Sequence, residues 1–328
     1  MYYKLSDKEE ILNYLEKSEL FNHSLRKNTT NGLTISNHTI SQLSFLPHLS
    51  RLINKYLYNL PVIGLGSSLC RYTNTFNIYS SKEDRKRYKI FDKKAVFANF
   101  GSGAFYHKKW TNFDFPGVSK YYKSLLGTPN KDFIPIDLCD KNLKIPLDDN
   151  STSLIYMSHV LEHLEESNGE KVFQEFQRIL KPNGVFRLVI PDDHKFMYYS
   201  KCLNNEKNLS KDLKELSTWS SIVSIFKEAA NQDPKKLYEL AVENDYCIEK
   251  IAELLSNEIK DLKKFKASNP ERHITHWSDK KLFRISKKSN FNHSMLLHRG
   301  HTNAKPFENI NVFDMSENQY SRFFEFIK

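Results

Sequence analysis

The sequence predicts an α/β protein built on a mostly parallel sheet, and two observations support this. From residue 95 onward, short apolar runs alternate with helical periodicity, as in proteins whose helices cover a shared sheet. The clearest helix has one wide apolar face, formed by Val172, Phe173, Phe176, Ile179 and Leu180. A Lys-Pro-Asn-Gly sequence follows and ends the helix, because proline cannot extend it and glycine permits a reversal.

Strands are predicted on both sides of this helix. The first five cover Ala95–Phe100, Trp110–Phe115, Phe133–Leu138, Leu154–Met157 and Val185–Ile190. Near the end of the chain the same alternation of helix and strand patterns is found, with a helix predicted over Asp279–Ser289 and strands over Ser294–Arg299 and Arg322–Ile327.

Two helical regions interrupt or precede this sheet. The amphipathic stretches Ser217–Ala230 and Leu237–Leu262 predict a helical insertion or cap, which is a candidate for binding the acceptor. The predicted organisation is therefore a helical N-terminal extension (1–90), a ligand-binding core (91–200), the helical insertion or cap (201–275) and a C-terminal helix with strands that complete the sheet (276–328).

Composition narrows the classes of function. The chain has 328 residues, no secretory leader pattern and no apolar run long enough to span a membrane, so we expect a cytoplasmic protein. Its four cysteines are far apart, which argues against a zinc or disulfide framework and fits a reducing compartment. The formal net charge of +10 admits an anionic partner, but no basic stripe with interleaved aromatics is present, so a lysine-rich surface is favoured over RNA binding.

Polar residues follow four successive predicted strands. Gly101-Ser102-Gly103 follows the first, and Asp114 ends the second, where a carboxylate can accept hydrogen bonds from two ribose hydroxyls. Asp137 ends the third strand, where its carboxylate could accept from an adenine amino group, and Ser158 and His159 follow the fourth. In doubly wound sheets ligands bind at the carboxyl ends of the strands, so these groups predict a nucleotide site.

The segment Asn99–Asp193 resembles the class I S-adenosylmethionine-dependent methyltransferases, nearest their surface-polysaccharide and small-molecule branch. The motifs that carry the resemblance, in family order, are GSG at 101–103, WTNFD at 110–114, DL at 137–138 with PLDDNS at 146–151, SHVLEHL at 158–164, and RILKPNG at 178–184 followed by PD at 191–192. The resemblance implies a Rossmann-like sheet whose last strand is antiparallel. The chain departs from many relatives in having Asn99 where an acidic residue is common.

The resemblance also implies roles for individual residues. Gly101 and Gly103 would pass close to the methionine and ribose of S-adenosylmethionine, Asp114 would hold the ribose, and Asp137 would lie beside the adenine. The residues expected to bind the cofactor are Asn99, Gly101, Ser102, Gly103, Asp114, Asp137, Leu138, Ser158 and His159.

The implied reaction is methyl transfer, for which a hydroxyl acceptor would benefit from a general base. The candidates on the expected rim are His159, His163, Asp192 and His194. For His159 a structural contact is as plausible as catalysis, and His163 is more readily explained as structural. A histidine cluster that includes His273 and His276 could line the acceptor pocket, although loop packing is the simpler interpretation.

The same SHVLEHL segment fits a zinc-peptidase signature, H-x-x-E-H. That chemistry needs both histidines on one helical face, whereas His159 falls at a strand end, so we expect no metal. The expected function is O-methylation of a sugar, glycan or lipid-linked glycan intermediate in polysaccharide biosynthesis. The alternatives are an RNA methyltransferase and a non-catalytic binding module of the same fold.

Overall fold

The computed structural model describes residues 67–70, 75–78, 86–102, 109–115, 133–193, 234–245, 247–258, 273–309, 313 and 321–328. The chain divides into two compact units. The first, here called the sheet unit, contains the described residues within 30–190, 279–317 and 322–328. The second unit contains those within 191–278 and 318–321.

The described elements follow in chain order. The strands are β1 Ser67–Cys70, β2 Thr75–Ile78, β3 Val96–Phe100, β4 Thr111–Asp114, β5 Ile134–Pro135, β6 Thr152–Ser158, β7 Leu180–Pro191, β8 His293–Leu297 and β9 Ser321–Ile327. The α-helices are α1 Glu166–Ile179, α2 Pro234–Glu243, α3 Ile248–Glu258 and α4 Asp279–Lys288, and 3-10 turns cover Leu161–His163 and Lys305–Glu308.

Seven strands form one sheet in the order β5-β4-β3-β6-β7-β9-β8. Strands β3 to β7 pair parallel with one another, and β9 pairs antiparallel with β8. This confirms the predicted Rossmann-like sheet with an antiparallel last strand. The chain order reverses on either side of β3, because β4 and β5 extend the sheet one way and β6 and β7 the other. The crevice outside the carboxyl ends of β3 and β6 is therefore where this architecture binds ligands.

Aromatic side chains cover both faces of the sheet. On one face, Phe173 and Phe176 of α1 pack edge-on against Phe186, with ring centroids 5.4 and 4.8 Å apart. On the other face a buried cluster includes Tyr88, Trp110, Tyr156, Phe307 and Phe313. Trp110 was predicted to begin a strand; it precedes β4 instead and donates from its indole nitrogen to the Tyr88 hydroxyl over 2.7 Å. A buried indole N–H needs a hydrogen-bond partner, and Tyr88 supplies it. Aromatic side chains thus pack against both faces of the sheet.

The structure corrects several predicted boundaries. The predicted strand Phe133–Leu138 shrinks to the two residues of β5, and the predicted helix Leu237–Leu262 is broken into α2 and α3. Asp245 lies at the break with φ 51°, a backbone conformation that aspartate and asparagine tolerate better than most residues. A hairpin of β1 and β2 lies within the predicted helical extension. The predicted helix Ser217–Ala230 lies outside the described residues.

Among the helices that the structure describes, none is both long and apolar enough to cross a lipid bilayer.

Arg178, from the RILKPNG motif, joins α1 to the loop before β6. Its Nε and Nη2 each donate to the Glu175 carboxylate over 2.8 Å, and Nη2 also donates to the Ile145 carbonyl over 3.0 Å. Its Nη1 donates to Asp149 over 2.5 Å. A forked guanidinium suits this shared geometry, whereas a lysine offers only a point charge. The motif arginine thus has a structural role in the sheet unit.

The Glu175 contact predicts a pH-dependent contribution to stability. Burial alone would raise the pKa of Glu175, but the hydrogen bonds from Arg178 and from the Ile145 N–H outweigh it, so this pKa lies below the ordinary 4.5. A carboxylate with a lowered pKa stabilises the fold above its unfolded-state pKa, and the stabilisation is lost as pH falls through the folded-state value. The destabilisation caused by Glu175→Gln should therefore be largest near neutral pH and shrink below pH 4.5, as measured by urea unfolding. A difference that stays constant over this range would contradict the prediction.

Candidate functional site

The turn that follows β3 is the centre of the candidate site. Gly101 has φ +65°, a conformation that side chains disfavour, and its N–H donates to the Phe113 carbonyl over 2.9 Å. A Cβ built on Gly101 would lie 2.1 Å from Cγ2 of Val160, which follows β6. The segments after β3 and β6 therefore meet closely across the crevice, and only glycine fits at this position.

A carboxylate lies next to this turn. Asp114, the last residue of β4, is buried, and its Oδ2 accepts from the Ser102 hydroxyl at 3.5 Å. Its Oδ1 accepts from the Phe115 N–H over 2.8 Å, which fixes the side chain. Between the two strands, the Asn99 amide donates to the Asn112 side-chain carbonyl over 3.1 Å. Asn99 is therefore an inter-strand contact behind the turn.

The end of β5 contributes a more exposed carboxylate. The Ile136 N–H donates to the Asp114 carbonyl over 2.9 Å, so the chain after β5 continues beside β4. Asp137 is exposed and accepts from the Cys139 N–H over 2.8 Å, while Leu138 is buried. Asp114 and Asp137 thus follow neighbouring strands at one edge of the sheet, as the sequence predicted.

The end of β6 brings a buried histidine to the same edge. Ser158 is buried and pairs with Val189 of β7, whose carbonyl accepts from the His159 N–H over 2.9 Å. His159 has φ +53°, which is uncommon for a residue with a side chain. Its Nδ1 lies 3.2 Å from Oε1 of Glu162, and both side chains are almost fully buried. The structure thus pairs an imidazole with a carboxylate beside the glycine turn.

His163 occupies a different environment from His159. It ends the 3-10 turn that follows β6 and is half-buried, and its N–H donates to the Val160 carbonyl over 3.0 Å. His159 lies outside that turn, with a left-handed backbone. The two histidines therefore do not share one helical face, and the arrangement that H-x-x-E-H requires is not formed.

The remaining predicted site residues are Asp192, Gly103 and His194. Asp192 is buried and belongs to the second unit. Gly103 and His194 lie outside the described residues. The adjacent Asp193 pairs with His276 within the second unit, with Oδ2 and Nδ1 2.5 Å apart.

Sequence reasoning missed two carboxylates that contact histidines. Glu162 lies inside the SHVLEHL motif, and its spacing of three from His159 was the available signal. Asp193 and His276 are 83 residues apart, so nothing local indicated that they pair.

Comparison with known families adds a sequence match. Residues 108–188 match the family model described as a methyltransferase domain, about a quarter of the chain. The match begins just before β4 and ends within β7, so it includes Asp114, Asp137, His159 and Glu162. No curated protein sequence matches the chain.

Solved structures similar to this chain include three described as SAM-dependent methyltransferases. The one from Aquifex aeolicus is 12% identical, with 75% of this chain and 89% of that chain covered and a TM-score of 0.32. The one from Archaeoglobus fulgidus is 9% identical, with 75% and 92% covered and a TM-score of 0.35. The one from Mesorhizobium loti is 12% identical, with 76% and 97% covered and a TM-score of 0.35.

Proposed function

We propose that the chain transfers a methyl group from S-adenosylmethionine to a hydroxyl group of a sugar, either free or within a glycan or lipid-linked glycan intermediate. The match of residues 108–188 to a methyltransferase domain supports methyl transfer. The observation that supports transfer to oxygen is the buried His159 beside Glu162, because a hydroxyl is a weak nucleophile and benefits from a base. The choice of a sugar is supported by the resemblance of Asn99–Asp193 to the polysaccharide branch.

The crevice residues have the chemistry that the cofactor needs. Asp114 is a fixed carboxylate beside a glycine turn, so it would accept hydrogen bonds from the ribose hydroxyls. The bare backbone of Gly101 would allow the ligand to approach closely, and Asp137 would face the adenine. When bound, the cofactor supplies a methyl group on a positively charged sulfur, already activated for in-line displacement. The protein's part is to align the acceptor with that group.

His159 is the base that the geometry favours among the three candidates that lie within the described residues. A negative oxygen beside Nδ1 favours the tautomer with its proton on that nitrogen, which leaves the Nε2 lone pair to accept a proton. His163 is half-buried and is the last residue of the turn, and Asp192 belongs to the other unit. His159 would therefore take the proton from the acceptor hydroxyl.

Asp114→Asn tests the cofactor site. Losing the charge should weaken binding of S-adenosylhomocysteine about tenfold or more, because hydrogen bonds to a charged acceptor are worth about 1.5–3 kcal/mol. Isothermal titration calorimetry measures this directly. Asp148→Asn removes the same charge from an exposed side chain before β6 and should leave the affinity unchanged. Equal affinities for the two variants would refute the role assigned to Asp114.

The acceptor is tested with the purified full chain and S-adenosylmethionine. We expect S-adenosylhomocysteine to form with a nucleotide sugar or a lipid-linked glycan, and mass spectrometry with NMR to locate the new methyl group on a hydroxyl oxygen. Cofactor binding without transfer to any sugar would contradict the proposed acceptor. Absence of binding at high micromolar cofactor would favour a non-catalytic module.

An RNA acceptor is the second candidate, and the net charge of +10 is the observation that favours it. Part of the basic charge on the described surface is paired with carboxylates, since Lys281 and Arg284 contact Glu166, and Lys288 contacts Glu170. Charge neutralised in this way attracts a phosphate backbone less, so the sugar stays the first candidate. RNA binding that falls steeply with added salt, accompanied by methylation of the RNA, would reverse this choice.

A further inference from the structure

Glu162 is a buried carboxylate that methyl transfer as described above does not use. Its side chain is 0% exposed, and its Oε1 lies 3.2 Å from His159 Nδ1. Burying a carboxylate costs free energy unless it is paired. An imidazole placed three residues earlier provides such a partner, and the pair lies at the carboxyl end of a central strand.

The backbone holds this pair in register. His159 keeps its left-handed φ of 53° while its N–H donates to Val189 of β7 over 2.9 Å. The 3-10 turn that carries Glu162 is closed by the Leu164 N–H, which donates to the Leu161 carbonyl over 3.0 Å. Strained backbone that the surrounding structure maintains is concentrated at functional sites. Here the left-handed residue brings its ring nitrogen Nδ1 to 3.2 Å from the Glu162 carboxylate.

His163 is the other titratable group of the sheet unit near this carboxylate. One of its ring nitrogens lies within 4.8 Å of a Glu162 oxygen. It is half-buried, whereas the His159 side chain is only 3% exposed. The drier pair is therefore His159 with Glu162, where the electrostatic coupling is less screened by water.

We propose that Glu162 is a positioning residue, which holds the His159 ring with its proton on Nδ1 and stabilises the imidazolium that forms during transfer. This rests on the proposed function. The acceptor O–H bond breaks and its proton moves to Nε2, while the oxygen forms the new bond to the methyl carbon. The electron pair of the broken carbon–sulfur bond stays on sulfur. The carboxylate takes no proton; it acts through the ring, as the aspartate does in serine-protease triads.

Glu162→Gln removes the charge with little change in volume. We expect kcat to fall about a hundredfold, within the range that general-base catalysis contributes, with cofactor affinity and the unfolding temperature close to those of the unmodified protein. Glu162→Asp, which keeps the charge, should recover part of kcat.

A second readout does not depend on any acceptor. NMR of the full chain with S-adenosylhomocysteine bound should show the His159 proton on Nδ1 in the unmodified protein and a mixture of the two ring tautomers in Glu162→Gln. Glu165→Gln, an identical change in the residue that caps α1, should leave the His159 tautomer unchanged. Loss of the Nδ1 tautomer in Glu162→Gln without transfer to any sugar would support the positioning role while refuting the acceptor.

Two outcomes would overturn the proposal. The first is a Glu162→Gln variant whose His159 tautomer and kcat match those of the unmodified protein. The second is a loss of kcat that follows a parallel loss of folding or cofactor affinity and that Glu162→Asp does not relieve. Either result would leave Glu162 as a packing residue of the turn.

Discussion

Glu325→Ala should lower the free energy of unfolding by about 3–5 kcal/mol, because it leaves a buried guanidinium without its counter-charge. Arg187 in β7 and Glu325 in β9 are both 0% exposed, with Nη1 and Oε1 3.3 Å apart. Arg187 Nη1 also donates to the His301 carbonyl over 2.9 Å. Glu325 in turn accepts from the Asn303 N–H over 2.9 Å and from the Thr302 hydroxyl. The pair thus holds the loop after β8 onto the sheet.

Chemical denaturation with urea measures the loss, and an exposed pair supplies the comparison. Glu308→Ala removes the partner of Lys305, whose side chain is 60% exposed, and should cost less than about 1 kcal/mol. Replacing both buried charges, as Arg187→Met with Glu325→Leu, should recover much of the stability, since no unpaired charge remains. A single variant that costs no more than Glu308→Ala would show that water reaches Arg187.

The contrast between these pairs shows what periodicity can predict. The alternating and apolar runs located β3, β4, β6, β7 and α1 to within a few residues, because burial of one helix face or both sheet faces leaves a local pattern. The Arg187–Glu325 pair leaves none, since the two residues are 138 positions apart and each is flanked by apolar residues in its strand. The break between α2 and α3 was missed for a related reason. Asp245, which has a left-handed backbone, lies between α2 and α3, whereas the apolar spacing in the sequence continues from one helix into the other.

The candidate site likewise contains residues that the sequence could locate and contacts that it could not. Parallel strands deliver their carboxyl ends to one edge, so Gly101, Asp114 and His159 could be identified by position alone. The partners that orient these groups could not. Glu162 lies in a sequence motif, but only the folded turn after β6 brings its carboxylate close to His159 Nδ1. The contact between Asp193 and His276 likewise depends on the fold of the second unit. Sequence thus indicated which polar groups lie at the strand ends, and the structure adds the carboxylates that contact the histidines.

Gly101→Ala should weaken binding of S-adenosylhomocysteine about a hundredfold, for two separable reasons. A left-handed backbone costs a residue with a Cβ about 1–2 kcal/mol. The added carbon would also lie 2.1 Å from Val160 Cγ2, so the turn must move. That movement would disturb the hydrogen bonds from the Gly101 and Ser102 N–H groups to the Phe113 carbonyl, which keep Ser102 beside Asp114.

Two further variants separate these causes in calorimetry and thermal unfolding. Gly300→Ala imposes the backbone cost at another glycine, with φ 72°, outside the crevice, and should lower stability while leaving cofactor affinity unchanged. Combining Gly101→Ala with Val160→Ala removes the 2.1 Å contact and should restore part of the affinity, leaving the conformational cost in place. If Gly101→Ala binds the cofactor as the unmodified protein does, the close approach of the segments after β3 and β6 does not shape the cofactor site. If the double variant binds no better than Gly101→Ala, the backbone conformation, and not the contact with Val160, is what the site requires.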